Sequence, residues 1–335
     1  MGRLDMTEYK IAVVNSSSFG QVFKEHWKQL EAVGTVDRFM VDPNISGPEL
    51  ADKLHGYNVI VSSVTPFFKA DFFDNKDELL LISRHGIGYN NIDLKAAKKH
   101  GTKVTIVPPL VERNSVAENA MANLMSVVRQ SAPSSQRIKD DRYEDRAEFM
   151  GHEFSGKTFG VIGCGNIGSR VAELFQFFGG KVMVNDPEPH APEGWFEKNP
   201  DVKRVELDEL LASCDYISLN ASLNDGDYHL INADALKKAK AGVYFVNHAR
   251  GALIDESAML DAVKSGKVSG YAADTMEVEP VRADHPFLKD QHFLITPHTS
   301  AYTYECLHGM GEKCVSDVIN IVNGKPLVRE LTQSV

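Results

Sequence analysis

Three polar residues in the second half of the chain have the types needed for acid–base chemistry on an anionic molecule. Arg250, Glu279 and His298 each follow an apolar run that is typical of a buried strand. An arginine guanidinium can bind a carboxylate through two parallel charge-assisted hydrogen bonds. Histidine titrates nearest to neutral pH, and a neighbouring carboxylate stabilises its protonated form. Together the three side chains could hold an acid and move one proton.

Each of these residues also has an ordinary structural interpretation. Arg250 precedes a glycine turn and could lie on the surface, and Glu279 could be an exposed loop acid, as we expect for Glu277. His298 is one of 12 histidines. His248 competes with it for the acid–base role, although a cofactor contact is an equally good interpretation of His248. The residues alone leave these alternatives open.

A glycine pattern near the middle of the chain indicates a dinucleotide site. It follows an apolar run at residues 157–162 that reads as a strand and precedes a helical pattern at residues 169–178. Such a loop lets the backbone approach a pyrophosphate, and the free N–H groups at the helix start hold the phosphates. The residues that we expect to do this are Gly163, Gly165, Asn166, Ile167 and Gly168.

Asp186 ends the next apolar strand. Its distance from the glycine pattern is close to the separation of roughly 20 residues at which a ribose-binding acid follows in such units. Its carboxylate can accept both ribose hydroxyls, whereas a 2′-phosphate would meet its negative charge. Residues 185–189 offer no cation that would compensate. We therefore expect NAD rather than NADP.

Length, charge and cysteine content exclude several classes of protein. The 335 residues predict two domains, and the net charge of −10 argues against a nucleic-acid partner. The four cysteines show no zinc-type spacing, so we expect no metal site and a reduced, cytoplasmic protein. The sequence contains no apolar run long enough for a membrane span, and we expect no membrane partner.

Strand-like and helix-like patterns alternate on both sides of the glycine pattern, which predicts an α/β protein with parallel sheets. We expect two lobes with a cleft between them and ligands beyond the carboxyl ends of the strands. A longer helix is predicted at residues 114–130. The charged stretch at residues 137–148 is interpreted as a surface connection.

Several ordered motifs across residues 58–325 resemble the D-isomer-specific 2-hydroxyacid dehydrogenases. They are the segments at residues 83–93, 115–118 and 149–157, the glycine pattern, Asn247-His-Ala-Arg250-Gly, Asp274-x4-Glu279-Pro and Thr296-Pro-His298. The resemblance implies two Rossmann-like or flavodoxin-like lobes. It also implies a substrate domain of residues 1–115 plus 303–335 and an NAD-binding domain of residues 116–302.

The resemblance also implies residue roles. Arg250 would anchor a 2-keto or 2-hydroxy acid, His298 would be the acid–base residue, and Glu279 would tune it. Backbone N–H groups of Ile87 and Gly88 would hold the substrate carboxylate. Further implied contacts are Tyr302 with substrate and Asn220, His248 and Asp274 with the cofactor. A homodimer through the cofactor domain, with the helix at residues 118–130, is implied as well.

Some positions depart from the usual family pattern. Asn220 and Ser222 stand where many members have His and Pro, and Asn90-Asn91 replaces Asp-Asn, with an Asn able to cap the following helix. The residues after His298 are closer to the D-lactate dehydrogenase branch than to the phosphoglycerate branch. Glu279 argues against a formate-type enzyme, which has Gln there. A phosphoglycerate- or hydroxypyruvate-type dehydrogenase and a noncatalytic NAD-sensing regulator remain as alternatives.

Overall fold

The computed structural model describes residues 9–224 and 226–335. The chain divides into two compact units. Unit 1 runs to Glu112 and takes up Tyr302–Val335, whereas unit 2 is the continuous stretch Arg113–Ala301.

Unit 1 contains a parallel sheet of five strands in the order β2-β1-β3-β4-β5, the order of a flavodoxin-like doubly wound fold. The strands are β1 (Lys10–Val14), β2 (Thr35–Phe39), β3 (Val59–Ser62), β4 (Leu81–Arg84) and β5 (Lys103–Thr105). The helices between them are α1 (Lys24–Glu31), α2 (Gly47–Lys53), α3 (Ala70–Asn75) and α4 (Leu94–His100). The next helix, α5 (Pro109–Val128), contains the boundary between the units.

Unit 2 contains a parallel sheet of seven strands in the order β12-β11-β10-β9-β6-β7-β8. The six strands β6 to β11 have the order of a dinucleotide-binding fold, in which the strand order reverses beside β6. The strands are β6 (Thr158–Ile162), β7 (Lys181–Asn185), β8 (Lys203–Arg204), β9 (Tyr216–Leu219), β10 (Val243–Asn247), β11 (Val268–Ala273) and β12 (Phe293–Ile295). The helices are α6 (Ser131–Lys139), α7 (Asn166–Phe177), α8 (Trp195–Lys198), α9 (Leu207–Ser213), α10 (Ala233–Lys238) and α11 (Glu256–Lys264).

The register of this sheet aligns the ends of six strands in one row. Partner by partner across the sheet, the row consists of Asn185, Ile162, Leu219, Asn247, Ala273 and Ile295. Because the strands are parallel, the residues that follow this row all leave the sheet at the same edge. Every cofactor and acid–base residue that the sequence predicts in this unit follows the row.

A buried carboxylate fastens the returning helix α12 (Tyr304–Val322) to the sheet of unit 1. Asp317 is 1% exposed and accepts hydrogen bonds from Ser83 Oγ at 2.7 Å and Thr105 Oγ1 at 2.5 Å. Lys313, also buried and one turn earlier on α12, donates to the same carboxylate oxygen. Apolar residues of α12, among them Val315 and Val318, pack on the same face of the sheet. The last helix thereby becomes part of the first unit's core.

The predicted fold class, two parallel-sheet α/β lobes, is confirmed. Several elements escaped prediction, among them two in unit 1. Strand β2 lies at the sheet edge without one fully buried residue, and α3 spans only six residues. The long helix begins at Pro109 and not at residue 114, since proline fits the first turn of a helix.

The prediction that an asparagine of the pair Asn90-Asn91 caps the following helix is wrong. Asp93 caps α4 by accepting from the Ala96 N–H, and Asn91 instead donates to Pro66 O at 2.9 Å. The four cysteines are buried thiols. Within the described residues, no helix has both the length and the apolar character to cross a lipid bilayer.

We expect Asp317→Ala to lower the free energy of unfolding of unit 1 by about 3–5 kcal/mol, because it leaves the Lys313 ammonium buried without its counter-charge. The two tryptophans are Trp27 and Trp195. Urea unfolding followed by Trp27 fluorescence in a Trp195→Phe background measures unit 1. The double variant Asp317→Leu/Lys313→Met removes both charges and should recover most of the loss. A single-variant effect below about 1 kcal/mol would contradict this role of Asp317.

Candidate active site

The loop after β10 holds Arg250 through a buried asparagine. Asn247, the last residue of β10, accepts from the Ala249 N–H at 3.0 Å and donates to the Arg250 carbonyl at 2.9 Å. The loop therefore folds around the Asn247 side chain. The Arg250 guanidinium is half-buried and donates to Ala249 O through Nη1 at 2.7 Å. Its backbone is therefore fixed before any ligand arrives.

Gly251 allows this loop to lie directly against the loop that follows β11. A Cβ built at position 251 would stand 1.9 Å from the Met276 carbonyl carbon and 2.2 Å from the Glu277 nitrogen, both backbone atoms that cannot turn aside. Only a residue without a side chain permits this approach. The loops that carry Arg250 and Glu279 are consequently in direct backbone contact.

Glu279 and His298 form a hydrogen-bonded pair at the ends of the adjacent strands β11 and β12. His298 Nδ1 lies 2.9 Å from Glu279 Oε2, and the side chains are 35% and 30% exposed. The second carboxylate oxygen of Glu279 accepts from the Met276 N–H at 3.0 Å, which fixes the orientation of the carboxylate. With Nδ1 turned toward Glu279, the ring presents Nε2 for proton exchange with a bound molecule.

Asp274 holds the His298 loop in an unusual conformation. His298 has φ of 54°, in the left-handed region that residues other than glycine seldom occupy. On either side of it, Asp274 Oδ1 accepts from Thr296 Oγ1 at 2.5 Å and Thr299 N at 2.9 Å. Asp274 Oδ2 accepts from Ser300 N at 2.7 Å and Ser300 Oγ at 2.6 Å. Burial alone would raise the pKa of Asp274, but these hydrogen bonds outweigh burial and hold the pKa below its ordinary value.

His248 is held in a different environment from His298. Its Nε2 lies 2.8 Å from Asn119 Oδ1, and burial lowers the pKa of His248 to about 4. The ring is therefore neutral at physiological pH and cannot supply a proton there. Among the described residues, His248 Nδ1 has no hydrogen-bond partner although it is buried. These features favour the cofactor-contact interpretation of His248 over the acid–base one.

The glycine loop between β6 and α7 has the close approaches that a pyrophosphate cradle needs. Gly163 has φ of 85°, and a Cβ there would stand 2.5 Å from Ala221 N. A Cβ on Gly168 would stand 1.9 Å from Gly163 O, so the helix packs tightly on the loop. At Gly165, in contrast, a Cβ would meet no atom within 4 Å, and no side chain caps α7. The N–H groups of the first turn, at Asn166 and Ile167 among others, are left for an anion.

Asp186 stands directly beside this loop. Its Oδ2 accepts from Cys164 N at 2.6 Å and its Oδ1 from Glu188 N at 3.0 Å. These bonds place a fixed carboxylate at the end of β7. The structure adds a cation that the sequence neighbours of Asp186 did not reveal. Arg204 on β8 pairs with Val184, and its guanidinium lies over the Phe196 ring at 5.5 Å.

Asn220 supplies a second unsatisfied polar atom near the glycine loop. Its amide nitrogen donates to Ser218 O and Ser218 Oγ, at 3.2 and 3.0 Å. Its Oδ1 is buried without a hydrogen-bond partner among the described residues. Buried polar atoms are rarely left unpaired in folded proteins. Asn220 Oδ1 and His248 Nδ1 therefore fit a site completed by a polar cofactor.

The predicted substrate contacts in unit 1 lie in two different segments. The Ile87 N–H donates to Glu112 Oε1 at 2.9 Å, so this N–H already faces a carboxylate oxygen. Gly88 follows it in the chain and is half-buried. Tyr302 is 51% exposed, with its hydroxyl 3.4 Å from Ser17 Oγ.

Sequence reasoning missed the residues that position the predicted ones. Asn247 and Gly251 stand inside the motif that contains Arg250, but Asn247 acts through hydrogen bonds within its own loop and Gly251 through contact with the loop after β11. Asn119 and Asn123 of α5 both reach the His248 ring. In the sequence, the only indication of this role is that Asn119 and Asn123 are polar residues in a largely apolar helix.

Comparison with known proteins gives the family. Residues 121–300 match the family described as D-isomer specific 2-hydroxyacid dehydrogenase, NAD binding domain. A hydroxypyruvate reductase from Thermotoga maritima is 37% identical over 262 residues, which cover 78% of this chain and 83% of that protein. A D-3-phosphoglycerate dehydrogenase from Archaeoglobus fulgidus is 34% identical over 86% of this chain. The alignment spans only 54% of that longer protein.

Solved structures agree over nearly the full length. D-lactate dehydrogenase from Escherichia coli superimposes with a TM-score of 0.81 at 29% identity, over 96% of this chain and 99% of that one. The family match covers the whole stretch that holds the glycine loop, Arg250, Glu279 and His298. The chain therefore belongs to the D-isomer-specific 2-hydroxyacid dehydrogenase family and is an NAD-dependent oxidoreductase.

Proposed function

We propose that the protein interconverts a 2-keto acid and a D-2-hydroxy acid, with His298 as the acid–base residue and Arg250 as the substrate anchor. The observation that carries the proposal is the hydrogen bond of 2.9 Å between His298 and Glu279 at the same sheet edge as the glycine loop. A histidine paired with a carboxylate is suited to give a proton in one direction and take it in the other.

In the direction of reduction, protonated His298 donates the proton of Nε2 to the substrate carbonyl oxygen. Bound NADH supplies the hydride that C2 of the keto acid receives. Glu279 keeps the imidazole oriented through Nδ1 and stabilises its charge before the proton leaves. In the reverse direction the neutral ring accepts the hydroxyl proton, so the same pair serves both reactions.

Arg250 binds the negative end of the substrate. Its planar fork matches a carboxylate, and the Asn247 and Gly251 contacts fix the backbone from which it extends. From unit 1 we propose the N–H groups of Ile87 and Gly88 as carboxylate donors, with Tyr302 as a further substrate contact. The Ile87 N–H now donates to the Glu112 carboxylate. A substrate bound there would take the place of Glu112 as the hydrogen-bond acceptor.

The substrate itself is proposed only as a class. The relatives include a hydroxypyruvate reductase, glyoxylate reductases and phosphoglycerate dehydrogenases, and the structural neighbours include D-lactate dehydrogenases. The acids in these names share a 2-keto or 2-hydroxy acid group and differ in the substituent on C2. A noncatalytic NAD-sensing regulator is the second candidate, and the complete Arg250, Glu279 and His298 set disfavours it.

We also propose a homodimer formed through unit 2. Helix α6 buries none of its residues within the chain. Large apolar side chains in and after it are exposed, namely Ile138 at 57%, Tyr143 at 61% and Met150 at 78%. Exposed apolar groups grouped in one short segment favour a partner surface. A second copy of the chain is the partner that the family resemblance implies.

The function predicts that NADH is oxidised in the presence of 2-keto acids. A panel of glyoxylate, hydroxypyruvate, pyruvate and phenylpyruvate should contain at least one substrate. His298→Asn should lower kcat by about 100-fold or more, since it removes the proton donor. Arg250→Lys should mainly raise KM, because an ammonium cannot form the bidentate pair.

NADH binding, measured by fluorescence, should survive both substitutions. Tight NADH binding without turnover of any panel acid would contradict the enzymatic proposal and support the regulator instead.

Glu279→Gln should move the pH profile as well as lower the rate. Without the negative charge the imidazolium is less stable, so the proton needed for reduction is lost at lower pH. The falling limb of kcat/KM for keto-acid reduction should therefore shift toward lower pH. The acidic limb of hydroxy-acid oxidation should shift in the same direction.

Glu277→Gln is the matched control, because Glu277 bonds Tyr228 and His229 instead. If both limbs stay in place in Glu279→Gln while NADH affinity is retained, Glu279 is not the functional partner of His298.

The carboxylate of Asp186 should make NADH the better cofactor. Asp186→Asn removes the negative charge that would repel a 2′-phosphate. The positive charge of Arg204, on the neighbouring strand, is then less neutralised and can attract the phosphate. We expect the ratio of kcat/KM for NADH over NADPH to fall at least about tenfold, or about 1.4 kcal/mol. Glu188→Gln, a charge removal two residues away, should change the ratio much less. Equal ratios in parent and Asp186→Asn would disprove the assignment.

Gly251→Ala should impair catalysis without unfolding the protein. The added methyl group overlaps the Met276 backbone, so the two loops must separate, and displacements of about 1 Å at such sites cost about 100-fold in rate. We expect a loss of that order in kcat/KM. Gly226→Ala is the control, because a Cβ there meets open space. Activity within threefold of the parent would show that the loops tolerate separation.

A further inference from the structure

Three side chains with metal-ligand chemistry meet where α1 packs on α12 in unit 1. They are His26 of α1 and His308 and Glu312 of α12, and one nitrogen or oxygen of each lies within 4.8 Å of the others. His308 and Glu312 are separated by one helical turn, so both side chains project on the same side of α12. The cluster lies outside the residues assigned above to cofactor and substrate.

His26 is brought to this position by a glycine. A Cβ at Gly311 would stand 2.1 Å from Nδ1 of the His26 ring, so the ring lies against the bare backbone of α12. A glycine inside a helix costs roughly 1 kcal/mol relative to alanine. Here it lets the His26 ring lie beside His308 and Glu312 while remaining buried.

The buried ring of His26 has an unsatisfied nitrogen. His26 is 1% exposed, and its Nε2 makes no hydrogen bond of normal geometry among the described residues. Glu312 Oε1 lies 3.5 Å from it, at ion-pair distance. A buried polar atom left in this way requires a further partner.

We propose that His26, His308 and Glu312 form a binding site for Zn²⁺ that ties the returning helix α12 to α1. Two imidazoles and one carboxylate are a donor set that zinc accepts, with water as the fourth ligand. The separation of 3.5 Å between His26 Nε2 and Glu312 Oε1 is close to the tetrahedral edge of about 3.3 Å expected around zinc. His308 and Glu312 are exposed, so small rotations can complete the tetrahedron.

The donor set favours zinc over the two most abundant divalent cations, Mg²⁺ and Ca²⁺. Mg²⁺ and Ca²⁺ prefer oxygen ligands and gain little from two imidazoles. Zinc bound here would link α1, in the first stretch of unit 1, with α12, in the stretch that returns after unit 2. It would therefore stabilise unit 1 and leave the proposed chemistry of His298 unchanged.

The test uses the full chain without a polyhistidine tag, freed of metal by a chelator. Calorimetric titration with ZnCl₂ should give one site per chain. Saturating zinc should raise the thermal unfolding midpoint by about 5 °C. Co²⁺ in place of Zn²⁺ should give the visible absorption of a tetrahedral nitrogen–oxygen site.

His308→Ala and Glu312→Gln should each weaken zinc binding at least tenfold and abolish the cobalt spectrum. Both residues are exposed, so neither variant should unfold the protein. His55→Ala is the matched control, because His55 also faces a carboxylate on the surface of unit 1, at 3.4 Å from Asp77, but belongs to no three-ligand cluster among the described residues. Zinc binding and stabilisation should be unchanged in it.

Three outcomes would overturn the proposal. The first is zinc binding no stronger than that of isolated surface histidines. The second is equal zinc affinity in the parent and His308→Ala, and the third is equal stabilisation by Mg²⁺ and Zn²⁺. Turnover of a 2-keto acid with NADH is measured separately, so loss of the zinc site and failure of the proposed function give different results.

Discussion

The arrangement at the sheet edge of unit 2 depends on one buried carboxylate. Asp274 receives hydrogen bonds from residues on both sides of His298 and thereby keeps that residue in a left-handed backbone conformation. Strained backbone persists only where its surroundings determine it more strongly than local preference does. Since His298 then determines where Glu279 can pair, the geometry of the acid–base pair follows from Asp274. Its role is positional, in addition to the cofactor contact proposed from the sequence.

The same edge shows why a parallel sheet is suited to this chemistry. Six strand ends lie in one register row. Each is followed by a different component of the proposed site: phosphate cradle, ribose acid, buried amide, anion anchor, loop anchor and acid–base residue. No single loop contains the site. The sheet sets the distances between the site residues. Each residue lies only a few positions beyond its strand, so its side chain is held on a rigid support.

Much of this could be predicted from the sequence because it is local. The glycine pattern, Asp186 and the strand before Arg250 are recognisable from neighbouring residues alone, and the two-lobed α/β fold follows from strand–helix alternation. Gly251, Asp317 and His26 could not be interpreted in this way. Gly251 matters because of a backbone 25 residues further along. Asp317 and His26 acquire their distant partners only when the last helix packs against unit 1. The edge strand β2 was missed because its side chains are hardly buried.

The return of α12 imposes an order on biosynthesis. Unit 2 is one continuous stretch, so it can fold as soon as Ala301 has left the ribosome. Unit 1 cannot, because the apolar face formed by Ile11, Val13, Val59 and Leu81 is covered by residues of α12 that are made nearly last. The first lobe to be synthesised is thus the last to be completed. Until α12 emerges, the nascent chain therefore carries an open apolar sheet face, even after the cofactor-binding unit is complete.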